Sequence, residues 1–197
     1  MGNNIIVYDI ETKNAFDDVG GRDGFTKLGI SVLGAFDYES KEFAVYEEGE
    51  LDRFSLRLQK KPLLVGFNSR RFDTPILQTY MKFDLRKLPQ LDIMEEMTRA
   101  LGHRVSLDSC AQATLGTGKS GSGLEAIRLY REGRIEELKR YCLDDVRLTR
   151  DLFEYGAAHG EIFYTPKFGA GRARAPVSWA LSHPNEGPEA EKQQSLF

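Results

Sequence analysis

The chain is poor in the features that define several protein classes. It has two cysteines in 197 residues. Cys110 and Cys142 stand at no metal-ligand spacing, so they read as reduced thiols of a cytoplasmic protein. No apolar run approaches the ~18 residues of a membrane span; the longest, such as Leu63–Phe67, are strand-sized, and no membrane association is expected. The first residues, Met1-Gly2-Asn3-Asn4-Ile5, lack a basic region and a cleavage site, which argues against a signal peptide. An excess of positive charge is also missing, because 27 Lys and Arg face 30 Asp and Glu for a formal net charge of −3. That excludes a protein that coats nucleic acid through bulk basicity, but not an enzyme with a local basic rim. His103, His159 and His183 have no partner at ligand spacing.

What is present is a globular composition, 41% hydrophobic and 29% charged, in a length that one domain accommodates without disulfide or metal staples. Residues 4–10 have the pattern of a central strand buried on both faces. Lys27–Asp37 and Glu42–Tyr46 read as two further strands, joined by a turn at Glu39-Ser40-Lys41. A helix is expected over about Asp52–Lys60, broken by Pro62 before a strand at Leu63–Phe67. Thr74–Lys82 has helical spacing, with Pro75 in its first turn. Leu91–Met94 reads as a short strand, and Glu95–Leu101, Ser106–Leu115 and Leu124–Arg131 as helices. The longest helix is expected over Ile135–Tyr155, ended by Gly156, with Leu138, Cys142, Val146, Leu148, Leu152 and Phe153 on its apolar face. Ile162–Thr165 and Pro176–Trp179 could pair as a hairpin. The resulting class is α/β, a mixed central sheet with helices on both faces. The domain organisation expected is a main domain over 1–160, an extension over 161–181 and a polar, disordered tail over 182–197.

Several carboxylates sit where burial disfavours them. Asp9 and Glu11 end the first strand at i and i+2, so they project from one face roughly 6–7 Å apart. Two acids so placed suit a hard divalent cation, which takes oxygen ligands. Asp73 follows the apolar strand 63–67 in Asn68-Ser69-Arg70-Arg71-Phe72-Asp73, where a helix starts. That position suits either a capping residue or a group at the carboxyl edge of the sheet, where ligand crevices form. Tyr141 and Asp145 are four apart and share one helix face, whereas Asp144 points elsewhere.

The order Asp-x-Glu on a strand, Asn-x-x-x-Phe-Asp after a strand, and Tyr-x-x-x-Asp on a helix resembles the DEDD exonuclease superfamily. That superfamily has a ribonuclease-H-like fold, and the resemblance is to its tyrosine-containing branch, over about Asn4 to Tyr155. The gap between Asn68 and Phe72 looks most like the proofreading domains of family B DNA polymerases, without a polymerase domain here. The resemblance implies a metal-dependent 3′→5′ exonuclease that releases nucleoside 5′-monophosphates, with Asp9, Glu11, Asp73 and Asp145 holding two Mg²⁺ or Mn²⁺ ions. Tyr141 would orient the attacking water; a tyrosine of ordinary pKa, about 10, is neutral at pH 7. Asn68 and Phe72 would line the path of the terminal nucleotide or support the strand end, Ile10 and Thr12 would touch its sugar, and Lys119 would contact a backbone phosphate of the substrate. Gly116-Thr117-Gly118-Lys119-Ser120 is not a nucleotide-triphosphate loop, since its first glycine would fall at Ala113.

The sequence Gln193-Gln194-Ser195-Leu196-Phe197 resembles the short peptide with which bacterial replication and repair proteins bind the DNA sliding clamp. Gln194 departs from the more usual leucine. In that mode Gln193 would fix register while Leu196 and Phe197 enter an apolar pocket. The tail favours DNA over RNA as substrate, with DNA repair, replication editing and mobile-element processing equally open as settings. The alternatives are an RNA 3′-trimming enzyme with the same site, a metal-dependent endonuclease, and a catalytically silent nucleic-acid and clamp adaptor.

Overall fold

A computed structural model describes residues 4–118, 123–166 and 171–179. Lys119 and the tail residues Gln193, Leu196 and Phe197 lie outside the described residues. The first strand, β1 (Ile5–Thr12), lies at the centre of a five-stranded sheet. It pairs antiparallel with β2 (Ile30–Asp37), which pairs antiparallel with β3 (Glu42–Glu47). The helix α1 (Leu51–Leu58) crosses to β4 (Leu63–Gly66), which returns parallel to β1. After α2 (Asp73–Gln78), β5 (Gln90–Asp92) adds in parallel to β4 and completes the order β3-β2-β1-β4-β5. Then follow α3 (Ile93–Leu101), α4 (Leu107–Leu115), α5 (Gly123–Arg131) and α6 (Ile135–His159). A hairpin of β6 (Glu161–Tyr164) and β7 (Ala173–Pro176) follows.

Alternation along β1 divides its side chains between two cores. Ile6, Tyr8 and Ile10 bury against Leu51, Phe54 and Leu58 of α1 and Ile76 and Leu77 of α2. Ile5 and Val7 bury on the other face with Val146, Leu152 and Phe153 of α6. Helices therefore cover both faces of a mixed sheet. Ile162, Tyr164 and Ala175 of the hairpin join the second of these cores.

Five boundaries differ from expectation, each for a local reason. The strand expected from Lys27 starts only at Ile30, because Arg22–Lys27 forms a 3₁₀ turn and Gly29 takes a left-handed φ of 66°. The helix expected to reach Lys82 stops at Gln78, whose side-chain amide turns to Phe83 O (2.9 Å) and Leu85 N (2.8 Å). The strand expected over Leu91–Met94 ends at Asp92, whose carboxylate caps α3 and draws Ile93 and Met94 into the helix. Gly156 does not end α6. It lies inside the helix, where a Cβ would fall 2.3 Å from the Trp179 ring, and Gly160 at φ 68° is the stop. The glycine is there for ring contact. The second hairpin strand is Ala173–Pro176, because Val177 and Trp179 pack inward onto the core, and Trp179 Nε1 donates to Phe153 O at 2.9 Å.

Candidate active site

Asp9 and Glu11 share the β1 face that looks towards α6, and α6 presents Asp145 to them. Carboxylate oxygens of the three lie within 4.8 Å of one another. Glu11 is 7% and Asp145 3% exposed. Three acids this close, two of them buried and Asp9 half-buried, repel one another unless a cation neutralises them. Oxygen-only, carboxylate-rich donors are what Mg²⁺ or Mn²⁺ takes, so the residues fit a hard divalent ion. The same negative charge acts on a neighbour. Burial first, and then the charges of Asp9, Glu11 and Asp145, hold the Cys142 thiol well above its ordinary pKa and thus protonated.

Two features let helix and strand meet this closely. Gly34 is the β2 partner of Asp9. A Cβ on it would stand 2.9 Å from Cys142 Sγ and 3.0 Å from Val146 Cγ2, so glycine there admits α6 to the sheet. The β1–β2 register also shifts between Glu11 and Thr12; such irregularities re-aim side chains beside functional sites.

The remaining expected site residues divide. Tyr141 lies one turn before Asp145 on α6 and is 6% exposed. Asp73, 3% exposed, is the first residue of α2 and lies outside the three-carboxylate group. Its Oδ1 accepts a hydrogen bond from the Ile10 amide at 3.0 Å, which ties it to the peptide between Asp9 and Glu11. The Ile10 side chain is in the core on the opposite face of the sheet. Thr12 donates to Asn14 O at 2.9 Å and lines a cleft of about 320 Å³ with Glu11, Phe16, Phe72 and Leu124.

Asn68 takes a left-handed φ of 66°, a conformation that asparagine tolerates better than most residues other than glycine. Asp92 holds it there: the carboxylate accepts from the amides of Asn68 (2.8 Å), Arg70 (3.0 Å) and Glu95 (3.2 Å). Burial outweighs those hydrogen bonds and keeps the Asp92 carboxyl above the usual carboxylate range. So held, Asn68 lines a cleft of about 400 Å³ with Asp9, Phe67, Met94 and Arg104. The acids thus stand between two clefts, Asp9 opening to one and Glu11 to the other.

Several residues of this region carry no recognisable sequence signal. Phe16 and Phe25 come from the 3₁₀ segment between β1 and β2, and they pack with Phe72 at ring-centroid distances of 5.7–6.2 Å. This aromatic group lines a third cleft with Asn68, Arg71 and Arg104. Of the residues lining these clefts, Asn68 and Phe72 were expected from the sequence; Arg104 stands in an interhelical turn with no motif around it.

Set beside known families, residues 6–156 match the family model described as RNase_H superfamily. The chain belongs to the RNase H superfamily. No curated protein matches it. Membership of the RNase H superfamily points to a nuclease-type hydrolase that binds nucleic acid, and the buried acidic group is compatible with the divalent metals such nucleases use. Among the described residues no helix is long and apolar enough to cross a membrane.

Proposed function

We propose that this RNase H superfamily protein is a 3′→5′ exonuclease that hydrolyses single-stranded DNA to nucleoside 5′-monophosphates. The observation that carries the reading is the convergence of Asp9, Glu11 and Asp145 at the meeting of β1 and α6, with clefts on either side of them. Asp9, Glu11 and Asp145 would hold a divalent ion between them, and Asp73, tied to the Ile10 amide, would complete the donor set for a second. Metal bound there would supply charge for the phosphate oxygens and lower the pKa of a bound water.

The protein's own side chains do the rest. Tyr141, one helical turn from Asp145, positions the attacking water through its hydroxyl, which can donate or accept a hydrogen bond. Phe72 and Thr12 border the cleft beside Glu11, where an unpaired terminal nucleoside finds apolar walls. The α6 helix holds Tyr141 and Asp145 at a fixed spacing, so water and metal ligand stay in register with each other. The tail Gln193–Phe197 supports attachment to a sliding clamp, and with it a preference for DNA. Retention of all four acids speaks against a silent adaptor, because mutually repelling buried carboxylates destabilise a fold that does not use them.

Matched single-stranded DNA and RNA, incubated with the protein and Mg²⁺, test the reading through chromatography of the products. Nucleoside 5′-monophosphates released faster from DNA are expected. A faster release from RNA would make the enzyme a 3′-trimming ribonuclease, and oligonucleotide fragments in place of mononucleotides would make it an endonuclease.

A further inference from the structure

Arg104 stands where three clefts meet. It borders the one containing Asp9, the aromatic one containing Arg71 and Phe72, and a larger one of about 710 Å³ against the C-terminal hairpin. It is exposed in the turn between α3 and α4, and its Nη2 donates to Asn68 Oδ1 at 2.7 Å. Among the described residues it makes no ion pair, whereas Arg57, Arg99, Arg128 and Arg134 all face carboxylates. A guanidinium carries five N–H donors. This one is oriented by a single hydrogen bond to a residue that Asp92 itself holds in place, and it keeps its remaining donors and its full charge for a ligand.

The large cleft is built from two elements. His103, Ser106 and Ser109 form one wall, and Tyr164, Thr165 and Pro166 the other. Ser109 Oγ fastens the walls together, donating to Thr165 O at 3.0 Å and accepting from Thr165 N at 2.9 Å. The His103 and Tyr164 rings meet edge to face at 5.7 Å. Its volume lies within the roughly 300–1,000 Å³ of small-molecule sites, enough for a nucleotide. The hairpin wall lies beyond the residues 6–156 that match the superfamily.

We infer that Arg104 binds a backbone phosphate of the substrate strand next to the scissile one, and that the hairpin cleft receives an unpaired nucleotide of that strand. The inference rests on the nuclease reading above. A single strand is held by alternating charge and ring contacts, and a cation at the mouth of a groove that carries the His103 and Tyr164 rings provides both.

The test uses the full chain with Asp145→Asn to silence cleavage, and a fluorescent single-stranded oligonucleotide titrated at several salt concentrations. Adding Arg104→Ala should weaken binding roughly ten- to a hundredfold, the weight of one charge-assisted contact. It should also lower the log–log salt slope by about 0.7, as for one lost phosphate contact on a single strand. Arg104→Lys should restore the slope but only part of the affinity. With Asp145 intact, Arg104→Ala should raise KM on a long strand at nearly unchanged kcat, yet cleave a dinucleotide like the parent, because a dinucleotide has only the scissile phosphate. Unchanged binding and KM would overturn the inference, and so would an equal loss on dinucleotide and long strand. A parent that neither binds nor cleaves nucleic acid would instead remove the nuclease reading on which it rests.

Discussion

The Asp73 carboxylate accepts its hydrogen bond from the amide of Ile10, at 3.0 Å, so the fourth acid is fastened to the peptide that separates Asp9 from Glu11. Any movement of the α2 start is thereby passed directly to the acid-bearing strand. Two substitutions separate the two things this side chain does. Asp73→Asn keeps an oxygen for the Ile10 amide but loses the charge; Asp73→Ala loses both.

Asp73→Asn should therefore melt within about 0.5 kcal/mol of the parent, and Asp73→Ala should lose about 1–2 kcal/mol for the buried amide left unpaired. Both should lose nuclease activity by at least about a hundredfold, as expected for a metal ligand rather than a brace. Urea melts and initial rates on the same preparations check this. An active Asp73→Asn enzyme would show that Asp73 only positions β1.

Gly34 is the second lever on the site. Its substitution by Ala should force Cys142 and Val146 away from β2, costing about 1–3 kcal/mol as overpacked cores do. The displaced α6 should carry Asp145 away from Asp9 and Glu11 and lower kcat by at least about tenfold. Removing the obstruction with Cys142→Ala in the same chain should recover part of both losses. A double-mutant cycle in melting temperature and kcat measures that coupling, and strict additivity would contradict the packing argument.

Stability should depend on pH through Asp37. Burial pulls this carboxyl up, but the Arg57 hydrogen bond, the Glu39 amide and the charges of Arg57 and Lys60 together outweigh it and hold it below its ordinary 3.8. A depressed carboxyl stabilises the fold in its ionised form, so the contribution is complete above about 3.8 and is lost as pH falls through the depressed value. Arg57 also donates to Asn4 Oδ1 at 3.0 Å and so ties α1 to the start of the central strand β1. Arg57→Met should cost about 1–2 kcal/mol at pH 7, with the gap from the parent narrowing below pH 3.8. Urea denaturation at pH 7 and pH 3 provides the comparison.

Much of the fold and the acidic group was legible because both are written in short periods. The i, i+2 spacing of Asp9 and Glu11 gives one strand face, and the i, i+4 spacing of Tyr141 and Asp145 gives one helix face. Apolar runs at 5–8 and 63–66 mark the buried strands for the same reason. What could not be read was set by contacts between distant elements. Gly34 is important only because α6 crosses β2 at that point, and Gly156 only because Trp179 returns over it. Phe16 and Phe25 stand in an irregular segment with no period to mark them, and they become neighbours of Phe72 only through the fold. Asp73 followed the expected order of acids along the chain, yet its attachment to the peptide between Asp9 and Glu11 depends on how α2 begins.

The most direct test of the account is the product pattern from single-stranded DNA labelled at its 5′ end in one sample and at its 3′ end in another, with Mg²⁺ or with EDTA, beside the Asp145→Asn protein. The account predicts, in Mg²⁺, a ladder shortening stepwise from the 5′-labelled strand and immediate release of a labelled mononucleotide from the 3′-labelled one. Both should vanish with EDTA and in the variant. Cleavage that persists in EDTA or in Asp145→Asn, or that starts from the 5′ end, would contradict it.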